Sequence, residues 1–598
     1  MTDTVREDSD RISGAAAPGS PAADKDRLAR RTRRTGALHQ AERTLRSMRA
    51  YAGVIVTSSV AEPVMYILAM GLGLGLLVGD ASAVADLGAE SYLMYIGPGV
   101  LAATVAMTAG IEFAFPVLEG FTWRRLYYGA QATPLTPGQI AGGHILAVSV
   151  RFLFHSAVFT GVLVLVGATT SPLVWLQVLT ATLGGLALGV PIMAYISTLR
   201  EEKGHGALIQ RFVIMPLFLF SGTFYPLENL PGPLQAIGWI SPIWHANELG
   251  RVLSFGQPTS PAMIATHLGF LAAVTLLAWW ATVHVFTRRL GLAEWRGRTP
   301  GARADARREA RVAELRDDDG PVGPAPVAQF RTGAGAGWYS GNIRAVFARG
   351  LSAIRNNRGV LFVSGFLEPI LFLTSFGLGI GPMISGIEAE QAGVGQDGTI
   401  SYAAFIAPAL LAVSAMNGAI FDSTWNVFFK LKITKLFRTM MATSLGPVDV
   451  ALGEIGLALF RGAIYSVGFL AVLVGAGLID GASAVLMWVT ALFIALGFAS
   501  VGMAVTSFFT RFQQMDWMMM VLMPMFLFSA TLFPIDVYPV GVQALVQAMP
   551  LWHGVELMRD IAFRTGDAMT LVHIGYYLVM VVVGLSVATW RMRRLFLR

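Results

Sequence analysis

No cysteine occurs among the 598 residues, which excludes disulfides, thiolate metal sites and cysteine nucleophiles. Lysine is nearly as scarce: Lys25, Lys203, Lys430, Lys432 and Lys435 are the only five. None of them follows a glycine, so the Gly-Lys-Ser/Thr end of a P-loop is missing and the chain is expected not to hydrolyse ATP itself. His-Glu-x-x-His and Gly-x-Ser-x-Gly patterns are also missing, so no catalytic residue and no metal ligand set is assigned. Charge is thin, at 14% of residues against about 25% in soluble domains. The net charge of +7 argues for no nucleic-acid partner, because its placement follows a different rule.

What is present is apolar sequence, 54% of residues with a mean hydropathy of +0.59. It falls into runs near the roughly 18–20 residues that cross a bilayer. The first half offers Val54 to Val78, Leu93 to Phe115, Ile140 to Val166, Leu173 to Ile196, Phe212 to Phe224 and Ile264 to Phe286. The second offers Val360 to Ile380, Tyr402 to Phe421, Val450 to Val474, Ala484 to Phe508, Trp517 to Phe528 and Leu571 to Trp590. The fifth run of each half is too short to cross alone and contains a proline, Pro216 or Pro524. Each continues into a Pro-rich stretch read as a re-entrant hairpin, whose backbone needs protein or water around it.

Basic residues set the orientation. With both termini inside, 39 of the 44 Lys and Arg fall in inner segments, the positive-inside bias. The expected site is a bacterial cytoplasmic membrane, crossed many times, with both termini cytoplasmic. A cleavable signal peptide is not expected, because the first apolar run starts far from the N-terminus.

The halves repeat. Glu62-Pro63 recurs as Glu368-Pro369, Thr133, Leu135 and Pro137 as Thr443, Leu445 and Pro447, and Arg151 as Arg461. Phe218-Leu219-Phe220-Ser221 recurs as Phe526-Leu527-Phe528-Ser529. Trp244-His245, Glu248 and Arg251 recur as Trp552-His553, Glu556 and Arg559. The offset stays between 306 and 310, and both halves start inside, so the repeat is parallel, about an axis along the membrane normal. The expected fold is an all-α integral membrane protein of two six-span halves, about twelve transmembrane helices, with interfacial helices and outer re-entrant hairpins. The domains read as a disordered cytoplasmic tail (1–36), a first half (37–290), a cytoplasmic linker (291–337) with a short helix near Ala304 to Leu315, and a second half (338–598). Amphipathic stretches precede each first span: Leu38, Leu45 and Met48 in one half; Ile343, Val346, Phe347, Leu351 and Ile354 in the other.

Three groups of residues invite a function. The inner loops Glu119 to Pro137 and Lys430 to Pro447 carry Trp123, Arg124, Arg125, Tyr127 and Tyr128, and Lys432, Lys435, Phe437 and Arg438. They are either docking elements for a soluble partner or ordinary positive-inside loops. Glu62, Arg151, Glu368 and Arg461 lie deep in spans, roughly 12–17 Å from the inner surface, where an unpaired charge costs about 2.5–3.5 kcal/mol. Pairing of Glu62 with Arg151 and of Glu368 with Arg461 is expected, either to fix helix register or to line a path, while Glu112 and Asp422 are expected to meet water. The segments with Trp244, His245, Glu248 and Arg251, and with Trp552, His553, Glu556 and Arg559, place their polar groups on one helical face. They read as an outer gate or headgroup site, or as caps steadying the hairpin; two metal-type ligands per copy are too few for a metal site.

Glu62-Pro63 with Met65 to Gly75, the Phe-Leu-Phe-Ser-x-Thr run before Tyr225-Pro226 and Phe533-Pro534, and the Pro-x-Trp-His-x-x-Glu-Leu segments together resemble the type-2 ABC exporter permeases. The likeness is to the nodulation-factor and lipooligosaccharide export branch and covers both halves. The resemblance implies a coupling helix after span two, at Glu119 to Pro137 and Lys430 to Pro447. It also implies two copies of a separate ABC ATPase subunit holding ATP and Mg2+, with no cofactor in this chain. Family members are usually half this length, so a fusion departs from the pattern, and Trp123-Arg124 against Ile433-Thr434 distinguishes the two loops. The expected function is export of an amphiphile, such as a glycolipid, lipooligosaccharide or hydrophobic drug. An ion-coupled carrier using Glu62 and Glu368 is the alternative, and a membrane-embedded transferase lacks paired catalytic carboxylates.

Overall fold

The computed structural model describes residues 21–78, 88–200, 204–291, 341–355, 358–384, 387–388, 399–510 and 514–596. The expected linker helix near Ala304 to Leu315 lies outside them, as do the first twenty residues. Ten helices organise each half, and helix n of the first corresponds to helix n+10 of the second. In the first half they are α1 (Pro21–Met48), α2 (Ala52–Tyr66), α3 (Tyr92–Glu112), α4 (Leu126–Gln131), α5 (Pro137–Leu165), α6 (Gln177–Thr198), α7 (Met215–Leu219), α8 (Gly232–Trp239), α9 (Pro242–Phe255) and α10 (Pro261–Leu290). In the second they are α11 (Ile343–Arg355), α12 (Arg358–Gly379), α13 (Tyr402–Phe421), α14 (Leu436–Met441), α15 (Pro447–Gly475), α16 (Gly481–Thr506), α17 (Met515–Phe528), α18 (Val540–Gln547), α19 (Pro550–Phe563) and α20 (Ala568–Phe596). Among the described residues, nine helices are long and apolar enough to cross a membrane.

The boundaries follow from local chemistry. Ser91 and Ser401 cap α3 and α13 by accepting from backbone N–H groups three residues on, and Ser260 caps α10 in the same way. Pro137 and Pro447 occupy the first turns of α5 and α15, where a missing N–H costs nothing. Pro63 lies inside α2, which passes into a π-helical stretch, Ile67–Leu74, whereas α12 runs through the equivalent Pro369 without one. As the sequence suggests, the fifth elements are short: α7 and α17 end in turns that lead into the 3-10 segments Leu227–Asn229 and Ile535–Val537, then α8 and α18.

Left-handed residues recur with the repeat. Arg125 and Lys435 both have φ 53°, Gly167 and Gly477 have φ 72° and 70°, Gly222 and Ala530 have φ 64° and 53°, and Gly256 and Arg564 have φ 74° and 59°. The second half thus accepts side chains at two turns where the first keeps glycine, at some conformational cost.

Two differences from the sequence expectations concern the periphery. Helix α1 begins at Pro21, so residues 21–36 are helical rather than a disordered tail; Arg and Ala dominate there, and both are strong helix formers. The loop before α13 contains a two-residue antiparallel ladder, Ile387 with Ile400 and Glu388 with Thr399, the only strands among the described residues. Both amphipathic helices dock on the third spans: α1 packs along α5, and α11 along α15, where Val346 is buried against Gly453. Leu38 and Leu351 stay exposed.

Each half is a bundle in which α10 packs on α6 and α20 on α16, with α3 and α13 at its centre. The halves meet along two seams, α7 against α12 and α2 against α17. On the face carrying α4 and α14 they are joined by aromatic contacts, Phe115 stacked on Trp425 at 5.2 Å and Trp123 edge-on to Phe429 at 5.2 Å.

Candidate functional site

On that face, each second span ends in a π-turn, Glu119–Trp123 or Phe429–Ile433, then a left-handed basic residue, then the short helix α4 or α14. Thr133 and Thr443 close the short helices by donating to the carbonyls of Ala130 and Met440, each at 2.6 Å. Arg124, Arg125, Tyr128, Lys435 and Arg438 are exposed. Tyr127 and Phe437 are buried, and Trp123 and Lys432 are half-buried, so Tyr127 and Phe437 anchor the loops instead of presenting contact surface. They sit on the inward side of a helix little more than one turn long, where only the opposite side reaches solvent. The anchors differ between halves. Tyr127 meets the His144 ring at 3.3 Å, and His144 also donates to the Glu112 carbonyl at 3.1 Å. The position equivalent to His144 is Glu454, which pairs with Lys430 and, at 3.6 Å, with Arg349. A cavity of about 450 Å³ lies between α1 and the first loop, bounded by Arg43, Arg124, Arg125 and Leu126.

Deeper in the bundle the expected ion pairs take other partners. Arg151 pairs with Glu112, and Arg461 with Asp422 at 2.7 Å. Arg151 still acts electrostatically on Glu62, while Glu368 accepts from Asn417 at 3.3 Å. Glu112 and Asp422 therefore do not simply face water: an arginine one helix away neutralises each, as burial of a charge requires. Depth along the chain put Glu62 level with Arg151, but the crossing of α3 over α5 decides which carboxylate the guanidinium meets. Close by, His155 bridges Ser59 at 3.2 Å and Thr104 at 3.1 Å. Its equivalent is Tyr465, so this network belongs to the first half alone.

At the opposite end, α9 and α19 carry the Trp-His-x-x-Glu-x-x-Arg faces. Arg251 bonds Glu248 at 2.7 Å, the Gly222 carbonyl at 2.6 Å and the Tyr95 carbonyl at 3.3 Å, and its guanidinium lies 3.9 Å from the Tyr95 ring centre. Arg559 repeats this with Glu556 at 3.0 Å, the Ala530 carbonyl at 2.6 Å and the Phe405 ring at 4.0 Å. Both arginines are buried, so they fasten the left-handed turn after α7 or α17 to its own half. Trp244 and Trp552 lie edge-on to the adjacent histidines.

Those histidines make pairs that sequence reasoning missed. His245 lies 2.8 Å from His267, and His553 2.7 Å from His573, Nδ1 to Nδ1. The His245 Nε2 donates to the Trp239 carbonyl at 2.9 Å, so its Nδ1 accepts and His267 donates. Burial pushes the His245 and His553 imidazoles down to about 4, which keeps these neutral bonds intact at neutral pH. The signal was present, because His267 and His573 repeat at offset 306, but they stand on the sixth spans, away from the motif. Among the described residues no group of three or more metal-type ligands forms.

A second cavity, about 800 Å³ and lined by apolar residues including Leu188, Ile192, Phe212, Val213 and Val274, lies between α6 and the π-turn before α7.

Comparison with known proteins places this geometry. The profile of the ABC-2 type transporter family matches residues 41–255 and again 341–563. Nodulation protein J of Rhizobium leguminosarum bv. viciae is 26% identical over 265 residues, 43% of this chain and 96% of its own length. Nodulation protein J of Rhizobium leguminosarum bv. trifolii is 27% identical over 262 residues, 42% of this chain and 94% of its own. The protein of the same name from Neorhizobium galegae is 29% identical over 238 residues, covering 39% and 85%. Each relative thus spans less than half of this chain while matching over most of its own length.

Proposed function

The chain belongs to the ABC-2 type transporter family, and from that premise we propose that it is the permease of an ATP-driven exporter with both permease halves in one polypeptide. The observation that carries this reading is the duplication: two family matches, each ending its second span in a left-handed basic residue and a one-turn helix. Two such elements on one face offer docking points for two copies of a separate ABC ATPase subunit, which would bind ATP and Mg2+. Arg124, Arg125, Tyr128, Lys435 and Arg438 are the contact residues, and the cavity beside Arg43 suits an acidic partner segment. The distribution of Lys and Arg supports placing this face, and both termini, in the cytoplasm of a bacterial cell.

The partner's closure on nucleotide would push α4 and α14, and through Trp123–Phe429 and Phe115–Trp425 the two halves together. Such a ligand drives a change only if it binds the two states unequally. The substrate class supported by the apolar 800 Å³ cavity is an amphiphile: a glycolipid, lipooligosaccharide or hydrophobic drug. Charge reversal at Arg124, Arg125 and Lys435 tests the docking. Co-purification of an ATPase subunit should fall by about tenfold or more with membrane insertion unchanged; unchanged co-purification contradicts the assignment. An ion-coupled carrier is the second reading, favoured by Glu368, which no arginine among the described residues pairs with; Glu368→Gln would then abolish proton-driven transport.

A further inference from the structure

The two seams between the halves have the same packing but different chemistry. At one, the Tyr225 ring covers Gly379 so closely that a Cβ there would collide with it. At the other, the Phe533 ring covers Gly73 in the same way. Tyr225 and Phe533 are equivalent in the repeat, as are Gly379 and Gly73.

The Tyr225 seam is hydrogen-bonded across the halves. The Tyr225 and Ser375 hydroxyls are 2.7 Å apart, Ser375 donates to the Leu219 carbonyl at 2.8 Å, and Asn229 donates to the Gly379 carbonyl at 2.9 Å. All but Asn229 are fully buried, and Asn229 is part-buried. The equivalents of Tyr225, Ser375 and Asn229 at the other seam are Phe533, Ala69 and Val537, whose side chains offer no donor or acceptor. Both equivalent carbonyls also accept from within their own half, Leu219 from the Tyr225 hydroxyl at 2.6 Å and Leu527 from the Tyr538 hydroxyl at 3.4 Å; the cross-half donor Ser375 is what the second seam lacks. The Tyr225 and Ser375 hydroxyls have two protons between them, and Tyr225 keeps its own bond to the Leu219 carbonyl when the halves part, so closure gains two net hydrogen bonds. At about fivefold each they favour a closed Tyr225 seam by roughly twenty- to thirtyfold over the other, where none forms among the described residues.

A second observation lies beside the apolar seam. Tyr92 donates to the Phe224 carbonyl at 2.8 Å, and Thr223 is bonded to Ser221 at 2.7 Å and Asn247 at 3.0 Å. Their equivalents, the hydroxyls of Tyr402 and Thr531, are buried and have no hydrogen-bond partner. Val555 stands where Asn247 would serve Thr531. Buried hydroxyls left unpaired are costly, and these two stand ready for a polar group that arrives from elsewhere.

We propose that the two seams are unequal doors: the α2–α17 seam, at Ala69, Gly73 and Phe533, passes the alkyl chain of an amphiphile laterally to the bilayer, with its polar group meeting Tyr402 and Thr531, while the α7–α12 seam stays latched. This rests on the exporter reading for its direction, outward, but its test does not. Membrane vesicles carrying the full chain are given a phospholipid with a diazirine in one acyl chain, irradiated, and the adducts mapped by mass spectrometry. Several-fold more label on the Ala69–Gly73 and Phe533 peptides than on the Ser375–Gly379 and Tyr225 peptides is expected. Equal labelling, or an excess at Tyr225, overturns the proposal. The triple variant Tyr225→Phe, Ser375→Ala, Asn229→Val should raise labelling of its seam to match the other; no rise in a correctly inserted variant also overturns it. The label ratio needs no ATPase, so a chain that purifies without one would contradict the exporter reading while leaving the seam result to stand or fall alone.

Discussion

The first half is a polar lattice and the second a looser copy of the same frame. Both halves keep the left-handed basic turn, the deep arginine paired to a carboxylate on span two, the histidine pair and the arginine beneath the hairpin turn. Those shared parts hold the backbone. The differences fall on side chains that tie one part to another. His155, Asn247 and Tyr225 make hydrogen bonds in the first half, where the second has Tyr465, Val555 and Phe533; His144 alone is exchanged for another bonded group, Glu454, which pairs with Lys430. Fusion makes such divergence possible, because a half encoded once and paired with itself must serve both positions with one sequence.

The largest expected effect comes from breaking a shared part. Arg151→Met leaves the Glu112 carboxylate buried without its cation, a loss of about 3–5 kcal/mol for a buried pair. Arg461→Met should cost less, because Asp422 is less buried and also accepts from Asn426 at 2.8 Å. Thermal unfolding in detergent checks the order, and Glu112→Gln added to Arg151→Met should recover much of the loss. Next, Asn247→Val removes bonds to the Ser221 carbonyl and the Thr223 hydroxyl and should destabilise by about 1–3 kcal/mol. The reciprocal Val555→Asn should stabilise by supplying Thr531. Equal effects in both directions would erase the polar contrast.

A smaller effect concerns the basic turns. Arg125→Gly and Lys435→Gly relieve left-handed strain and should raise stability by roughly 1 kcal/mol each, while weakening capture of the ATPase subunit by loss of charge. Stability that rises with unchanged capture would separate the turn from docking. The smallest effect is a tether present in the second half alone: Asp480 caps α16 and pairs with Arg564 at 2.6 Å, where the first half has Thr170 and Gly256. Hydrogen bonding by Ser483, then Arg564, holds the Asp480 carboxyl below its ordinary 3.8. A lowered carboxylate stabilises above its ordinary value and the contribution is lost as pH falls through the folded value. The unfolding midpoints of wild type and Asp480→Asn should therefore differ at neutral pH and converge in acid.

The repeat, the spans and the short helices were legible because hydrophobic run length, proline position and charge placement are properties of the sequence itself. Thr133 and Pro137 announced the end of α4 and the start of α5 without help from tertiary contacts. The ion pairs were not legible in the same way. Glu62 and Glu112 lie on different helices, and which of them meets Arg151 is set by the angle at which three helices cross. Tyr127 and Phe437 were misread for a related reason, since an aromatic residue in a basic loop points inward or outward according to what lies beneath it. The histidine pairs join α9 to α10 and α19 to α20, and only the structure puts those elements side by side. The start of α1 was not legible because a charge-rich segment with few apolar residues has the composition of a tail, and the helix propensity of its Ala and Arg shows only once the helix is formed.

The central claim is that one chain supplies both permease halves and therefore both docking elements. Native mass spectrometry of the tagged chain, extracted from its own membrane in mild detergent, tests it most directly. A complex of one chain with two copies of a P-loop subunit, lost on charge reversal at Arg125 and Lys435, is the predicted result. A complex of two chains, or a chain with no such subunit, would contradict it.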